Sequence, residues 1–220
     1  MHGHECSFTL VEQNLEKGSN LTLEIQVRAL DRVLSASGDD GKPFPTHFWL
    51  QCDNAGGENK NQWVLRFLAV LVDRGVFRSA VFSTLQVGHT HEDLDGLLGI
   101  MSMEIATAME WNHPAQMAEI VQRRMSEHLK PLPVRSGTLD AVRDWKSWLT
   151  PLDNLDPKHG IVGLMNSNTH WLCFTRRVDL PVDLAGAPAA GGDVGLPGDV
   201  VCMAKEYMSS PGLMQEVFTL

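Results

Sequence analysis

Asp53, His89, Glu92 and Asp95 are the residues of this chain whose types and spacing can do chemistry. Asp53 ends an apolar stretch in "FWLQCDNAGGENKN", and the other three fall in "GHTHEDLD", where two histidines and three acids occupy eight residues. Asp53 and Asp95 together can clasp a hard divalent cation. Mg2+ or Mn2+ takes oxygen ligands, keeps water, and uses one or two carboxylates with substrate phosphate to complete its shell. Two such ions roughly 4 Å apart activate a water or hydroxyl and stabilise the leaving oxygen of a phosphodiester. A plainer reading stands beside this one. Asp-Asn after a strand is ordinary turn chemistry, and Glu92 and Asp93 suit the positive end of a helix. His89 can ligate a metal, donate to a phosphate, or satisfy a buried backbone group. Asp95 lies a full turn into its helix, on the face of Glu92, where the dipole explains it less well.

These residues need a frame that brings them to one place. "THFWLQC" (46–52) reads as a short apolar strand that delivers Asp53. A helix follows from Asn59 or Asn61, either of which can cap it, and stops at Gly75. Apolar side chains nearly encircle that helix, which predicts packing on more than one side. "SAVFSTLQV" (79–87) reads as a second strand, and Thr90-x-x-Asp93 opens the next helix in the manner of a capping box. Upstream, residues 5–14 read as a strand, and a helix follows with Asn20 as its cap and Leu23, Val27, Leu30 and Leu34 on one face. Strand and helix alternate, so the fold class is α/β with parallel strands and crossover helices. Ligands in such sheets sit beyond the carboxyl ends of the strands, where both acidic turns emerge.

Beyond Pro114 the pattern predicts a helix over 115–129 and a proline-containing break at "KPLPVRSG". A helical "DAVRDWKSWLTPL" and a hairpin over 160–177, with its turn at 166–168, come next. Residues 180–199 are rich in Pro, Gly and Ala and read as a loop. "VVCMAKEYM" then forms a final strand, returning to the sheet or to a small subdomain.

Composition narrows the function classes. A net charge of −9 repels a polyanion on average, which disfavours a passive nucleic-acid binder more than an enzyme whose metal ions offset its own carboxylates. The four cysteines are scattered with no C-x-x-C pair, against a zinc ribbon or a disulfide framework. Zinc held by His2, His4, His89 and His91 is a further possibility, without a closed four-ligand spacing. The longest aliphatic and aromatic run, "FLAVLV", is too short for a bilayer, and "MHGHECSFTL" lacks a signal-peptide pattern. A nuclear or cytoplasmic protein, neither secreted nor membrane-bound, is expected.

"CDNAGGENKN" and "GHTHEDLDG" resemble the DN-x-x-G-x-NKN and GHT-x-x-x-x-D motifs of an uncharacterised domain family in transposon-derived eukaryotic proteins. Those domains are thought to be ribonuclease-H-like, akin to the integrase core of DDE transposases. The likeness covers about Met1 to Met125 and is weaker around "DWKSWL" and "HGIVG". It implies a ribonuclease-H-like core over 1–130, a mixed sheet flanked by helices, followed by a small α+β extension over 131–220. It further implies metal-dependent phosphodiester cleavage or strand transfer on DNA with Mg2+ or Mn2+. Asp53 matches the second acid of the DDE set, at the end of the fourth strand, and Asp95 the third, with Glu92 and Asp93 as rivals. His89 matches the family's histidine. Asn54, Asn59, Lys60 and Asn61 match the loop motif, where turn support and phosphate contact are expected. One departure concerns the front of the chain, where residues 1–14 resemble the second and third strands of the usual antiparallel meander. Glu5 and Glu12 do not sit where a first-strand Asp belongs. The first strand and its acid are expected to be missing, which leaves a non-catalytic interaction domain on the same fold as the alternative function.

Overall fold

The computed structural model describes residues 6–11, 15–39, 43–52, 59–84, 93–108, 113–150, 169–179, 199–205 and 215–219. In chain order they form β1 (Cys6–Val11), α1 (Ser19–Asp39), β2 (His47–Cys52), α2 (Gln62–Asp73), β3 (Ser79–Thr84) and α3 (Asp93–Thr107). Then come α4 (Pro114–His128), β4 (Val134–Leu139), α5 (Trp145–Leu149), β5 (Trp171–Arg176), β6 (Val200–Lys205) and β7 (Gln215–Thr219). The architecture is mixed α/β. One sheet has the order β2-β3-β5-β6-β7, and a second pairs β1 with β4.

The larger sheet is organised by α2. Its sequence, QWVLRFLAVLVD, buries Val64, Leu65, Phe67, Leu68, Ala69, Leu71 and Val72, and the helix touches β3, β5 and β6 as well as α1 and α5. That is the packing on several sides which an apolar circumference demands. Opposite it, Ala80 and Phe82 of β3, Leu172 and Phe174 of β5, and Cys202 of β6 are buried in the same cluster. The period of two is the signature of a strand with one face on the core. Of the two asparagines able to cap α2, Asn61 does so: its side chain accepts from the N–H groups of Trp63 and Val64 at 3.0 and 3.1 Å. At the other end Gly75 turns with φ +70°, which glycine adopts without strain. Arg176 donates to the Asp73 carbonyl at 2.7 Å, tying β5 to the negative end of the helix.

β2 and β3 run parallel, with Cys52 level with Thr84. β3 then pairs antiparallel with β5, β5 with β6, and β6 with β7. "VVCMAK" thus returns to the sheet, and β7 adds a strand that the sequence reading did not anticipate. Of the expected hairpin over 160–177, its turn lies outside the described residues, and the strand at 171–176 has β3 and β6 as its sheet neighbours.

The N-terminal strand corrects an expectation. Rather than joining an antiparallel meander, β1 pairs in parallel with β4, from Cys6 against Val134 to Val11 against Leu139. The sequence pattern predicts a proline-containing break at "KPLPVRSG", yet residues 134–139 form a strand. VRSGTL is weakly apolar, and only Val134 and Leu139 are buried, so it takes its strand character from β1 and from α4 lying across it. Phe8, Val134, Val121, Met125 and Leu97 form this second core, with α3 resting on α4. Strands from either side of residue 130 therefore meet in both sheets.

Two helix-end readings also change. Asn20 sits inside α1, which starts at Ser19. Its side chain accepts from the N–H of Lys146 at 2.9 Å and donates to Asp144 at 3.3 Å, so it holds the start of α5. The helical stretch expected from Asp140 begins only at Trp145, because Asp144 takes the capping role by accepting from Ser147 N–H at 3.2 Å. No helix among the described residues is long and apolar enough to cross a membrane.

Candidate functional site at the carboxyl edge of the parallel strands

Because β2 and β3 are parallel and in register, their last residues, Cys52 and Thr84, stand side by side at one edge of the sheet. Asp53 is the next residue after Cys52, and "LQVGHTHED" follows Thr84. The chain therefore leaves β2 and β3 at the same edge, beyond the carboxyl ends of the strands, where open α/β sheets bind ligands. Asp53, Asn54, His89 and Glu92 themselves lie outside the described residues, as does the Thr90 of the expected capping box. Asp95 belongs to the first turn of α3, which starts at Asp93, rather than lying a full turn in, so the helix dipole accounts for an acid there; its side chain is outside the described set. The helix that carries it packs through Leu97 into the second core.

The described part of the edge is made by the return of the loop into α2 and by the ends of β3 and β5. Asn59 accepts a backbone bond from Asn61 N–H at 3.0 Å, which tightens the turn before the cap. Between them Lys60 is buried, and loss of water pushes its ammonium below the usual lysine range. A buried lysine is a different object from a solvated surface cation: its charge is weakly screened and acts strongly on neighbouring anions.

On the β3 side the structure brings in two residues that the sequence reading passed over. Thr84 Oγ1 and His170 Nδ1 are 2.7 Å apart and buried. The Thr84 N–H also donates to the His170 carbonyl at 2.8 Å. His170 comes from the C-terminal part of the chain, one residue before β5. In "NSNTHWLCF" a lone histidine before an apolar run has no local signal to set it apart, and only the pairing of β3 with β5 reveals its neighbour.

A hard-oxygen donor set from Asp53 and Asp95 suits Mg2+ or Mn2+ in kind. Among the described residues there is no group of three or more His, Cys, Asp or Glu able to hold a metal ion. His2, His4, His89 and His91, considered for zinc, all lie outside them. The other acidic contacts are structural. Glu24 is engaged by Arg28 and Arg143, and Glu104 by Arg124 and His128. Burial pushes the Cys173 thiol up to about 11, which disfavours its thiolate at neutral pH.

A protein-family model described as a domain of unknown function (DUF7869) matches residues 1–162. No curated protein matches the chain, and no solved structure does. The matched span takes in both acidic turns and stops short of His170 and the last three strands.

Proposed function

The chain belongs to the DUF7869 family, and we propose that it carries a divalent-metal-dependent site for phosphodiester cleavage or strand transfer on DNA, in a domain of transposase descent with a ribonuclease-H-like core. One observation carries the reading: β2 and β3 are parallel and end in register, so the Asp53 turn and the His89–Asp95 turn start from adjacent strand ends. Asp53 and Asp95 hold Mg2+ or Mn2+, and the metal supplies the charge that activates a nucleophile and stabilises the leaving oxygen. His89 and Glu92 assist at the same edge. Asn61, by capping α2, and Asn59, by closing the turn before it, hold the loop that leads back from Asp53. Asn54 supports the same turn, and buried Lys60 brings positive charge to the phosphate side.

The test is a calorimetric titration of the full chain with Mn2+, alongside Asp53→Asn and a cleavage assay on supercoiled DNA. The expected result is saturable binding that weakens by at least about tenfold in the variant, with cooperative melting retained and Mn2+-dependent nicking by the parent protein. Equal binding by parent and variant removes Asp53 from the metal.

A second reading has its own observation. β1 carries no carboxylate and pairs with β4, and among the described residues β2 has β3 as its one sheet neighbour. A first strand without a carboxylate, in a chain of net charge −9, fits an interaction domain that keeps the fold without the chemistry. Metal binding without nicking would select it.

A further inference from the structure

We propose that the outer edge of β2, over His47–Gln51, docks a second copy of this chain: two β2 strands pair antiparallel about a two-fold axis at Trp49 and join the two larger sheets into one. The inference is independent of the metal-site reading.

β2 stands at one end of the larger sheet, with β3 as its one sheet neighbour among the described residues. A strand paired on one side leaves the N–H and C=O groups of alternate residues pointing outward, a template for another strand. The two ends of the sheet are built differently. At the far end β7 carries Glu216, and its pairing with β6 slips between Cys202 and Met203. A charge and an irregular register are devices that blunt an edge. β2 has neither: HFWLQC holds no Lys, Arg, Asp, Glu or Pro, and its register with β3 is unbroken from His47 to Cys52.

The side chains also leave that edge clear. His47 Nδ1 lies 2.8 Å from Ser79 Oγ, and Trp49 Nε1 donates to Ser83 Oγ at 3.0 Å. Both bonds draw the large side chains of the exposed face over β3, away from the outer side of β2. On the opposite face Phe48 and Leu50 pack against the larger core yet stay only partly buried. An added strand covers more of their apolar surface.

Register and charge point to a second copy as the occupant. Centred on Trp49, an antiparallel pair sets His47 against the second copy's Gln51, and Phe48 against its Leu50. Polar then meets polar on the open face, and apolar meets apolar on the core face. A net charge of −9 opposes self-association over most of the surface. The uncharged β2 is a place where two copies meet without opposing like charges. A contact of this kind is isologous, so it closes at a dimer.

A six-residue strand makes a small interface, and a dissociation constant on the order of 10 μM is expected. The experiment is sedimentation equilibrium of the full chain from about 1 to 100 μM, which brackets that value. Trp49→Lys sets two like charges against each other across the axis and is expected to weaken association about fivefold or more. Met103→Lys, on the exposed side of α3, is expected to leave it unchanged. Trp49→Cys is expected to form an intermolecular disulfide on mild oxidation, because residues paired across the axis have Cα atoms about 4.5–5.5 Å apart. His47→Cys is expected to form none with itself, since the two copies of residue 47 stand roughly 13 Å apart along the strands. Should Trp49→Lys fail to fold, the two cysteine variants read the same contact. A parent still monomeric at about 100 μM overturns the inference. So does a dimer that Trp49→Lys leaves intact, or one that Met103→Lys breaks. Cross-linking at residue 47 as readily as at residue 49 overturns the antiparallel register.

Discussion

Glu24, buried on α1, accepts two hydrogen bonds from the Arg143 guanidinium, at 2.9 and 3.0 Å, although the residues are far apart in sequence. The Arg143 N–H adds a third at 3.3 Å, Trp145 Nε1 a fourth at 3.0 Å, and Arg28 a further one at 3.1 Å from the next turn of α1. With Asn20 holding Asp144 and Lys146, this clasp pins the chain ahead of α5 to α1 and stacks Arg143 over Trp145 at 4.5 Å. A carboxylate with so many donors cannot be replaced by a smaller group without orphaning them. Glu24→Ala is expected to cost about 2–4 kcal/mol in urea unfolding, and Glu24→Gln less. A cost below about 0.5 kcal/mol in the alanine variant would show the clasp to be idle.

The same clasp sets an acid limit. Arg143 foremost, then Arg28 and Trp145, hold the Glu24 carboxyl down to about 2 against an ordinary 4.5, with burial opposing them. A lowered folded value means that this stability is fully present above about pH 4.5 and is lost as pH falls toward about 2. Arg143 is more than half exposed, so screening trims the contribution to about 1–2 kcal/mol. Stability measured from pH 5 to pH 2 in parent and Glu24→Gln is expected to converge at the acid end. A gap that stays constant would place the effect elsewhere.

The Asn61 cap lies on the approach to the candidate site and is separable from its chemistry. Asn61→Ala is expected to destabilise by about 1 kcal/mol, while Asn61→Asp is tolerated because a carboxylate caps equally well and favours the helix dipole. Chemical denaturation of the two variants reads the difference, and equal losses would count against the capping role.

Leu68 is fully buried at the centre of α2, against the larger sheet. Leu68→Ala is expected to cost about 2–5 kcal/mol, the range for a cavity in a packed core. A smaller cost would mean that α2 can sink into the sheet, and the Asn61 end of the loop would move with it.

Cys173 offers a chemical check on the sheet. With its thiol pushed up to about 11 by burial, the thiolate is scarce at pH 8. Iodoacetamide at pH 8 is expected to modify it far more slowly in the native protein than in urea, as read by peptide mass spectrometry. Equal rates would show that β5 is not packed between β3 and β6.

The elements around the candidate site were legible where their signal was local. Helix α2 announces itself by its apolar residues, an asparagine in front and a glycine behind, all within a few turns. β2 and β3 are short apolar runs between polar turns, and their alternation with helices implies parallel pairing. β4 was not legible, because VRSGTL has no strong preference and becomes a strand only with β1 beside it. β1 misled for a related reason: a strand pattern shows that a segment is extended without showing its partner. Asn20 resembles a cap for its own helix because only sequence neighbours are visible in the linear chain, whereas its bonds go to Asp144 and Lys146.

By itself the sequence determined the α/β class and the parallel pair with its crossover helix. Periodicity, caps and turn residues act over a few residues and survive in the linear order. Only the tertiary structure decided that β1 pairs with β4, that β5 to β7 complete the larger sheet, and that His170 meets Thr84. Those are choices among distant partners. They are settled by which apolar faces find a common core and which buried polar groups find each other, and neither is written in any one stretch of the chain.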